Sequence, residues 1–292
     1  MTTSQSTATE STVAGEPVRG DSGQYSPPSR ASEPQHLRAL LLPAVLSVVV
    51  ASFSQLTHQA ILQRAFIGSA AVLLTWCAVL LWSARRGGRS LSMEFTPRRT
   101  HWVQACAQGA LILYWAAHTP LVASVLPFIV VQLVFAYAFD SLLTWSRRNV
   151  YALGFTPFPV IFSINLFLLF RPQWFYWQFV LIALGFAAKE LIKWERDGKR
   201  THIFNPSSFP LAVFSVVLLA TGLTDVTFGT SIANTIFDTP HIHLVIFLVA
   251  LPGEILFGVA PVTIASALTL YAIGLGYFAA TGTYLMYDAY IP

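Results

Sequence analysis

The distribution of charge constrains this chain more than any motif does. From residue 39 onward, long stretches almost free of charge alternate with short, arginine-rich loops. A soluble fold interleaves polar and apolar residues on every element, because each element turns one face to water. Segregation along the chain is what lipid favours, since an isolated charge in hydrocarbon is costly. Charged residues make up 10% of the chain and hydrophobic ones 55%, against about 25% charged in an average soluble domain. The chain therefore reads as an all-α integral membrane protein whose first partner is the lipid bilayer.

Apolar runs predict about nine transmembrane helices, near 39–56, 65–82, 102–117, 119–139, 158–170, 174–190, 208–223, 242–257 and 260–280. A full crossing takes roughly 20 residues. The second run extends back toward Ile61, and only His118, Thr119 and Pro120 separate the third from the fourth. Arg85, Arg86, Arg89, Arg98 and Arg99 follow the second run, Arg147 and Arg148 the fourth, and Lys189, Lys193, Arg196, Lys199 and Arg200 the sixth. The opposite loops carry only Arg64 and Arg171. Basic loops stay on the cytoplasmic side. An odd number of spans then puts the N-terminus inside and Tyr287–Pro292 outside. The net charge of +4 belongs to this topology, so it does not indicate a nucleic-acid partner. Residues 1–36, rich in Ser, Thr, Glu, Gly and Pro, cannot bury enough apolar area to offset their ordering entropy. They are expected to form a disordered cytoplasmic tail ahead of a multi-span domain at 37–292.

Two predicted spans are short. The fifth is bracketed by Pro157 and Pro159 and ends at Arg171; the seventh is regular only after Pro210. Phe209 to Leu223 is 15 residues, about 22 Å of helix against a hydrocarbon core of ~30 Å. Short, proline-interrupted spans mark broken helices that line a buried site, or spans completed by irregular flanking segments; both readings are open.

No soluble catalytic domain fits in loops under 20 residues long. The chain lacks a Walker loop, a Gly-x-Gly-x-x-Gly fingerprint and a His-Glu-x-x-His zinc motif. Cys77 and Cys106 lie in apolar runs and read as packing residues, not as a disulfide or metal pair. His241 and His243, two apart, do not face one another on a helix, so no metal site is expected. Trp174, Tyr176 and Trp177 read as an interfacial aromatic belt. Glu254, beside Pro252 and Gly253, is an intramembrane carboxylate, by default a proton or cation relay; the competing reading is a carboxylate near enough to the cytoplasmic end to reach water. Asp140 ends the fourth span, either in the same relay or paired with Arg147 or Arg148. Asp225 and Asp238 are loop acids that attract cations or are simply solvated.

The most informative stretch is Ala188-Lys189-Glu190, then a polar loop, then His202-Ile203-Phe204-Asn205-Pro206-Ser207-Ser208. Asn-Pro-Ser-Ser at a loop-to-span junction reads as a helix start, with Asn or Ser capping free N–H groups and Pro in the first turn. The positive end of that helix suits an anionic phosphate or a carbonyl-rich ring. An ordinary cap explains the same residues.

This pattern resembles a family: the homologous, flavin-carrying membrane subunits of two ion-translocating redox complexes, the sodium-pumping NADH:quinone reductase and the Rnf electron-transport complex. Within it, the chain is most similar to a divergent subgroup that accompanies enediyne-type biosynthetic genes. The resemblance is clearest from about Arg148 to Leu223. It implies two inverted five-helix repeats in a bacterial-type inner membrane. It also implies a bound flavin (FMN or riboflavin), redox partner subunits, and electron transfer coupled to ion movement. Lys189, Glu190, Asn205, Pro206, Ser207 and Ser208 would then face the flavin. Family members attach flavin mononucleotide to a threonine in a Ser-Gly-Ala-Thr loop after the Asn-Pro span. Here that place reads Thr224-Asp225-Val226-Thr227-Phe228-Gly229-Thr230-Ser231. It holds three threonines, Thr224, Thr227 and Thr230, without the motif, so non-covalent binding is expected. Pro210 stands where the family has a small residue. The family's second half, with its Thr-Asp-Pro motif, would begin about where this chain stops at Ile291-Pro292, which implies a truncated chain or a reduced relative.

Three functions follow as expectations. The first is a flavin-binding electron-transfer subunit of an oxidoreductase complex, with no catalytic domain of its own. Lys189 and Glu190 would pair with each other or balance charge on reduction. The second is a transporter or channel-like protein on the same fold, in which Glu254 and Asp140 carry the function. The third is an assembly subunit with no chemistry.

Overall fold

The computed structural model describes residues 34–196 and 198–283. The tail expected at 1–36 falls almost wholly outside them, although Pro34–His36 already belong to the first helix; Tyr287–Pro292 also lie outside. Among the described residues, ten α-helices run in chain order: α1 Pro34–Ser52, α2 Ala60–Gly87, α3 Arg99–His118, α4 Pro120–Arg147, α5 Pro157–Phe167, α6 Tyr176–Leu191, α7 Ser208–Thr221, α8 Gly229–Asp238, α9 Ile242–Phe257 and α10 Ala260–Thr281. Each predicted apolar run is helical over most of its length. Four stretches, Arg38–Leu56, Ala60–Gly87, Pro120–Arg147 and Ala260–Thr281, are long and apolar enough to cross a membrane. Pro157–Phe167, Ser208–Thr221 and Ile242–Phe257 are apolar but shorter.

The all-α expectation needs correcting in the loops. β1 Ser92–Phe95 pairs in parallel with β2 Val150–Leu153, and β3 Lys193–Arg196 pairs antiparallel with β4 Lys199–His202. Four-residue strands leave almost no periodic signal, and β1 finds its partner more than fifty residues away. Pairing gives these loop backbones the hydrogen bonds they lack outside a helix. Helix α8 likewise arises in a stretch read as loop.

The core sits around α4. On α2, α4 and α6, and at the residue that opens α6, Phe66, Phe135, Phe179 and Phe175 interlock, with ring centroids 5.7 Å apart for Phe66–Phe175, 5.4 Å for Phe175–Phe179 and 4.6 Å for Phe135–Phe179. Edge and tilted contacts of this kind stabilise beyond their buried area. Cys77 is buried against α1, but Cys106 is exposed on α3, so only the first is the expected packing residue. By contrast α10 leaves nearly all its apolar side chains uncovered, as suits a helix facing lipid.

The three basic loops meet at one end of the helices. Arg89, after α2, donates to Asn149 Oδ1 at 3.1 Å and to the carbonyls of Trp145 at 2.7 Å and Arg148 at 3.1 Å. Gly88, at φ 59, provides the left-handed turn that ends α2 and sends Arg89 back across α4. Arg148 in turn reaches Glu190, at the end of α6. The opposite end is tied by Tyr114 Oη to Pro240 O at 2.7 Å, Trp115 Nε1 to Thr235 Oγ1 at 3.0 Å and Thr119 with Thr239 at 3.2 Å.

Helices α5 and α7 both begin at the basic end and both stop short, at 11 and 14 residues. At 1.5 Å per residue they reach about 16 and 21 Å. Their continuations then pair with each other. Phe170 bridges Thr227 antiparallel, Phe228 N–H donates to Leu169 O at 2.8 Å, and Arg171 N–H to Val226 O at 2.9 Å. A buried amide triad completes the break. Asn165 and Gln132 exchange two hydrogen bonds, at 2.8 and 2.9 Å. Gln178 Nε2 donates to Gln132 Oε1 at 3.2 Å and Leu168 O at 3.3 Å, and Gln178 Oε1 accepts from Phe170 N–H at 3.1 Å. With no water in the bilayer core, backbone outside a helix has to be satisfied by protein.

A charged mouth built on the Lys-Glu and Asn-Pro turns

Lys189 and Glu190 occupy the last turn of α6, where a cation is favoured by the negative end of the helix dipole. Successive helix residues point about 100° apart, so the two face different neighbours. Lys189 Nζ lies 4.0 Å from Asp140 Oδ1 on α4. Glu190, with a side chain only 9% exposed, accepts from Arg148 at 2.5 Å and Lys193 at 3.1 Å. Two expectations are therefore corrected. Lys189 and Glu190 do not pair with each other, and Asp140 pairs with Lys189, not with Arg147 or Arg148.

Asp140 is buried, and its charge acts on the Tyr151 phenol of β2. Burial, then the Asp140 charge, push the Tyr151 phenol far above its ordinary range, so it stays protonated. Tyr137, one turn before Asp140, donates to Gly154 O at 2.7 Å and holds the end of β2 in place. Glu190 ties the loop after α4 to the hairpin after α6, and replacing it with Gln should remove both ion pairs. Arg148 is half exposed, so most of the loss comes from Lys193; the expected cost is about 1–2 kcal/mol, measured as thermal unfolding in detergent.

The Asn-Pro turn sits directly on α6. Gly185, one turn before Lys189, has no side chain to hold it off. A Cβ there would collide with the Pro206 carbonyl oxygen and stand 3.1 Å from Pro210 Cγ. This explains Pro210 in this chain: it packs its ring over the same glycine. Asn205 Oδ1 accepts from Ser207 N–H at 2.9 Å, Ser207 Oγ at 2.8 Å and Ser208 N–H at 3.4 Å. Asn205 is thus the cap that starts α7 at Ser208, and Phe204 stacks on Phe209 with centroids 4.5 Å apart.

His202, at the end of β4, completes the mouth. Burial, then the charges of Lys189, Lys193 and Arg98, lower its pKa. A histidine lowered on folding adds stability that is complete above its ordinary pKa of about 6.5 and is lost as pH falls through the folded value. His202→Asn should therefore flatten the decline in unfolding temperature between neutral and mildly acidic pH, and leave neutral stability little changed.

The remaining candidates lie elsewhere. Thr224, Thr227 and Thr230 are at the far end of α7, about 21 Å of helix away, so they do not share a site with Asn205. Thr227 Oγ1 donates to Thr224 O at 2.9 Å and accepts from Gly229 N–H at 3.3 Å, which starts α8. Thr230 is in the first turn of α8. Glu254, in the last turn of α9, accepts from Thr263 Oγ1 at 2.6 Å and clasps the α9–α10 turn. A cavity of about 10 Å³ between Ile112, Trp115, Ile129, Asn165 and Ile232 has room for about one water and is too small for a flavin ring.

Sequence reasoning passes over Gln132, Asn165, Gln178, Gly185 and Tyr151. The amides carry a usable signal, since strongly polar residues inside apolar runs mark inter-helix bonds. Comparison with family models, with curated proteins and with solved structures gives no match.

Proposed function

We propose that this protein is a membrane-embedded electron-transfer subunit that holds a flavin at its basic mouth. In this reading the fold crosses a bacterial-type inner membrane about nine times, with the basic loops in the cytoplasm. One observation carries the reading: Gly185 lets the Asn205–Pro206 turn rest on α6 one turn from Lys189 and Glu190. The two halves of the motif, sixteen residues apart from Lys189 to Asn205, are therefore one structural unit. Two further features favour an anion there. The positive ends of α5 and α7 both lie at this end, and Lys189 and Lys193 bring cations beside them. Lys189 would hold the flavin phosphate and Asn205 and Ser208 would orient it. The redox chemistry belongs to the cofactor.

Titration of flavin-free protein with FMN and with riboflavin, followed by flavin fluorescence, tests this. Lys189→Gln should weaken FMN binding roughly tenfold, the worth of one charge-assisted hydrogen bond, and change riboflavin binding little. Folded protein that binds neither flavin would refute the reading.

The paired breaks of α5 and α7 favour a second reading, a transporter on the same fold, because discontinuous helices also frame transport sites. Solute uptake into vesicles that is abolished by Asp140→Asn or Glu254→Gln, in protein without flavin, would select it.

A further inference from the structure

The β3–β4 hairpin carries a polarity gradient that the flavin reading does not use. It leaves α6 after Leu191 and returns to α7 at Ser208, so both feet stand on apolar helices. Leu191 and Ile192 form one foot, and Ile203 and Phe204 the other; Lys193, held by Glu190, and then Trp194 follow the first foot, and Glu195, Arg196, Lys199 and Arg200 lie toward the tip. Lys193 pairs with His202 and Arg196 with Lys199. Ile203 N–H reaches Ile192 O at 3.3 Å and carries the ladder down to the feet. Leu191 is 55% exposed and Trp194 50%, with Ile192 and Ile203 also uncovered.

A two-stranded hairpin is marginal in water by itself, and contiguous uncovered apolar residues mark a contact surface. We infer that this hairpin is seated in the headgroup layer of the leaflet that holds its feet, and that the lipid it contacts is anionic. Four strand residues at ~3.3 Å reach about 13 Å, enough to pass through a headgroup layer of roughly 5–8 Å. With Lys193 neutralised by Glu190, the remaining order along the hairpin, aliphatic feet, then tryptophan, then charge at the tip, is the order met on leaving a bilayer. Toward its tip the basic residues Arg196, Lys199 and Arg200 outnumber the acids Glu195 and Asp197, Lys193 being held by Glu190, and a basic segment beside an anionic leaflet is attracted to it. A soluble protein docking from the aqueous side would meet the charged tip first, with the apolar residues beneath. The inference rests on the bilayer reading alone and is independent of the flavin.

The full chain, reconstituted in nanodiscs of phosphatidylcholine with or without phosphatidylglycerol, tests it. The contribution of Trp194 is the difference in emission between the protein and Trp194→Phe. Brominated acyl chains should quench that contribution, more strongly with phosphatidylglycerol present. The anionic increment should be lost in high salt and in Lys199→Glu/Arg200→Glu. Trp194 emission that ignores brominated lipid but is quenched by aqueous iodide would place the hairpin in water and overturn the inference. Equal quenching in both lipid mixtures would overturn its anionic part.

Discussion

Gly185→Ala should unseat the Asn205–Pro206 turn and destabilise the protein by about 1–3 kcal/mol, the usual cost of forcing extra volume into a packed contact. The obstacle is backbone: the added Cβ would meet the Pro206 carbonyl, and Pro210 blocks the adjacent escape. Glycine costs a helix roughly 1 kcal/mol relative to alanine, so an uncontacted site would show the opposite sign. On the flavin reading proposed above, the substitution also weakens flavin binding, because the turn would move away from Lys189. Denaturation in mixed micelles measures the first effect and flavin titration the second. A Gly185→Ala variant more stable than the parent would show that the turn does not rest on α6.

Gln178→Leu should cost more, about 2–5 kcal/mol, because each buried polar group left unmade costs about 1–3 kcal/mol. It keeps the volume but strips Phe170 N–H and Leu168 C=O of a partner where no water substitutes. Gln132→Leu is the informative contrast. Its loss removes the donor to Asn165 Oδ1, but Asn165 keeps Ile161 O and Gln178 keeps both backbone partners. It should cost less than Gln178→Leu, about 1–3 kcal/mol for the one acceptor, Asn165 Oδ1, left unmade. Equal costs for the two variants, measured by the same denaturation in micelles, would mean that Gln178 is not what closes the broken span.

Much of the fold is legible in the charge pattern because lipid imposes a one-dimensional rule: apolar runs become helices and basic loops share an end. The run expected at 65–82 extends to Ala60–Gly87 because its ends are polar but still helical, and Arg86 lies over Trp82 at 4.1 Å. Strands β1 and β2 escape a sequence reading because their pairing is long-range. The site is half legible. The sequence marks Asn205 as a cap or an anion contact, and its Oδ1 caps α7. The partner of Asp140 depends on which way Lys189 points around α6, which spacing along the chain does not give. Gly185 looks neutral in an apolar helix; its role exists only through contact with Pro206, twenty-one residues on. The short fifth and seventh spans read as irregular from their prolines and length, but their mutual pairing at Phe170 and Thr227 has no sequence signal.

The most direct test of the flavin reading is an absorption spectrum of detergent-purified protein from about 350 to 500 nm, before and after acid precipitation. The account predicts a flavin spectrum that moves to the supernatant, since the threonines at 224, 227 and 230 stand at the opposite end of α7 from the charged mouth. Flavin retained in the pellet would move the site to those threonines, and a featureless spectrum from well-folded protein would contradict the account.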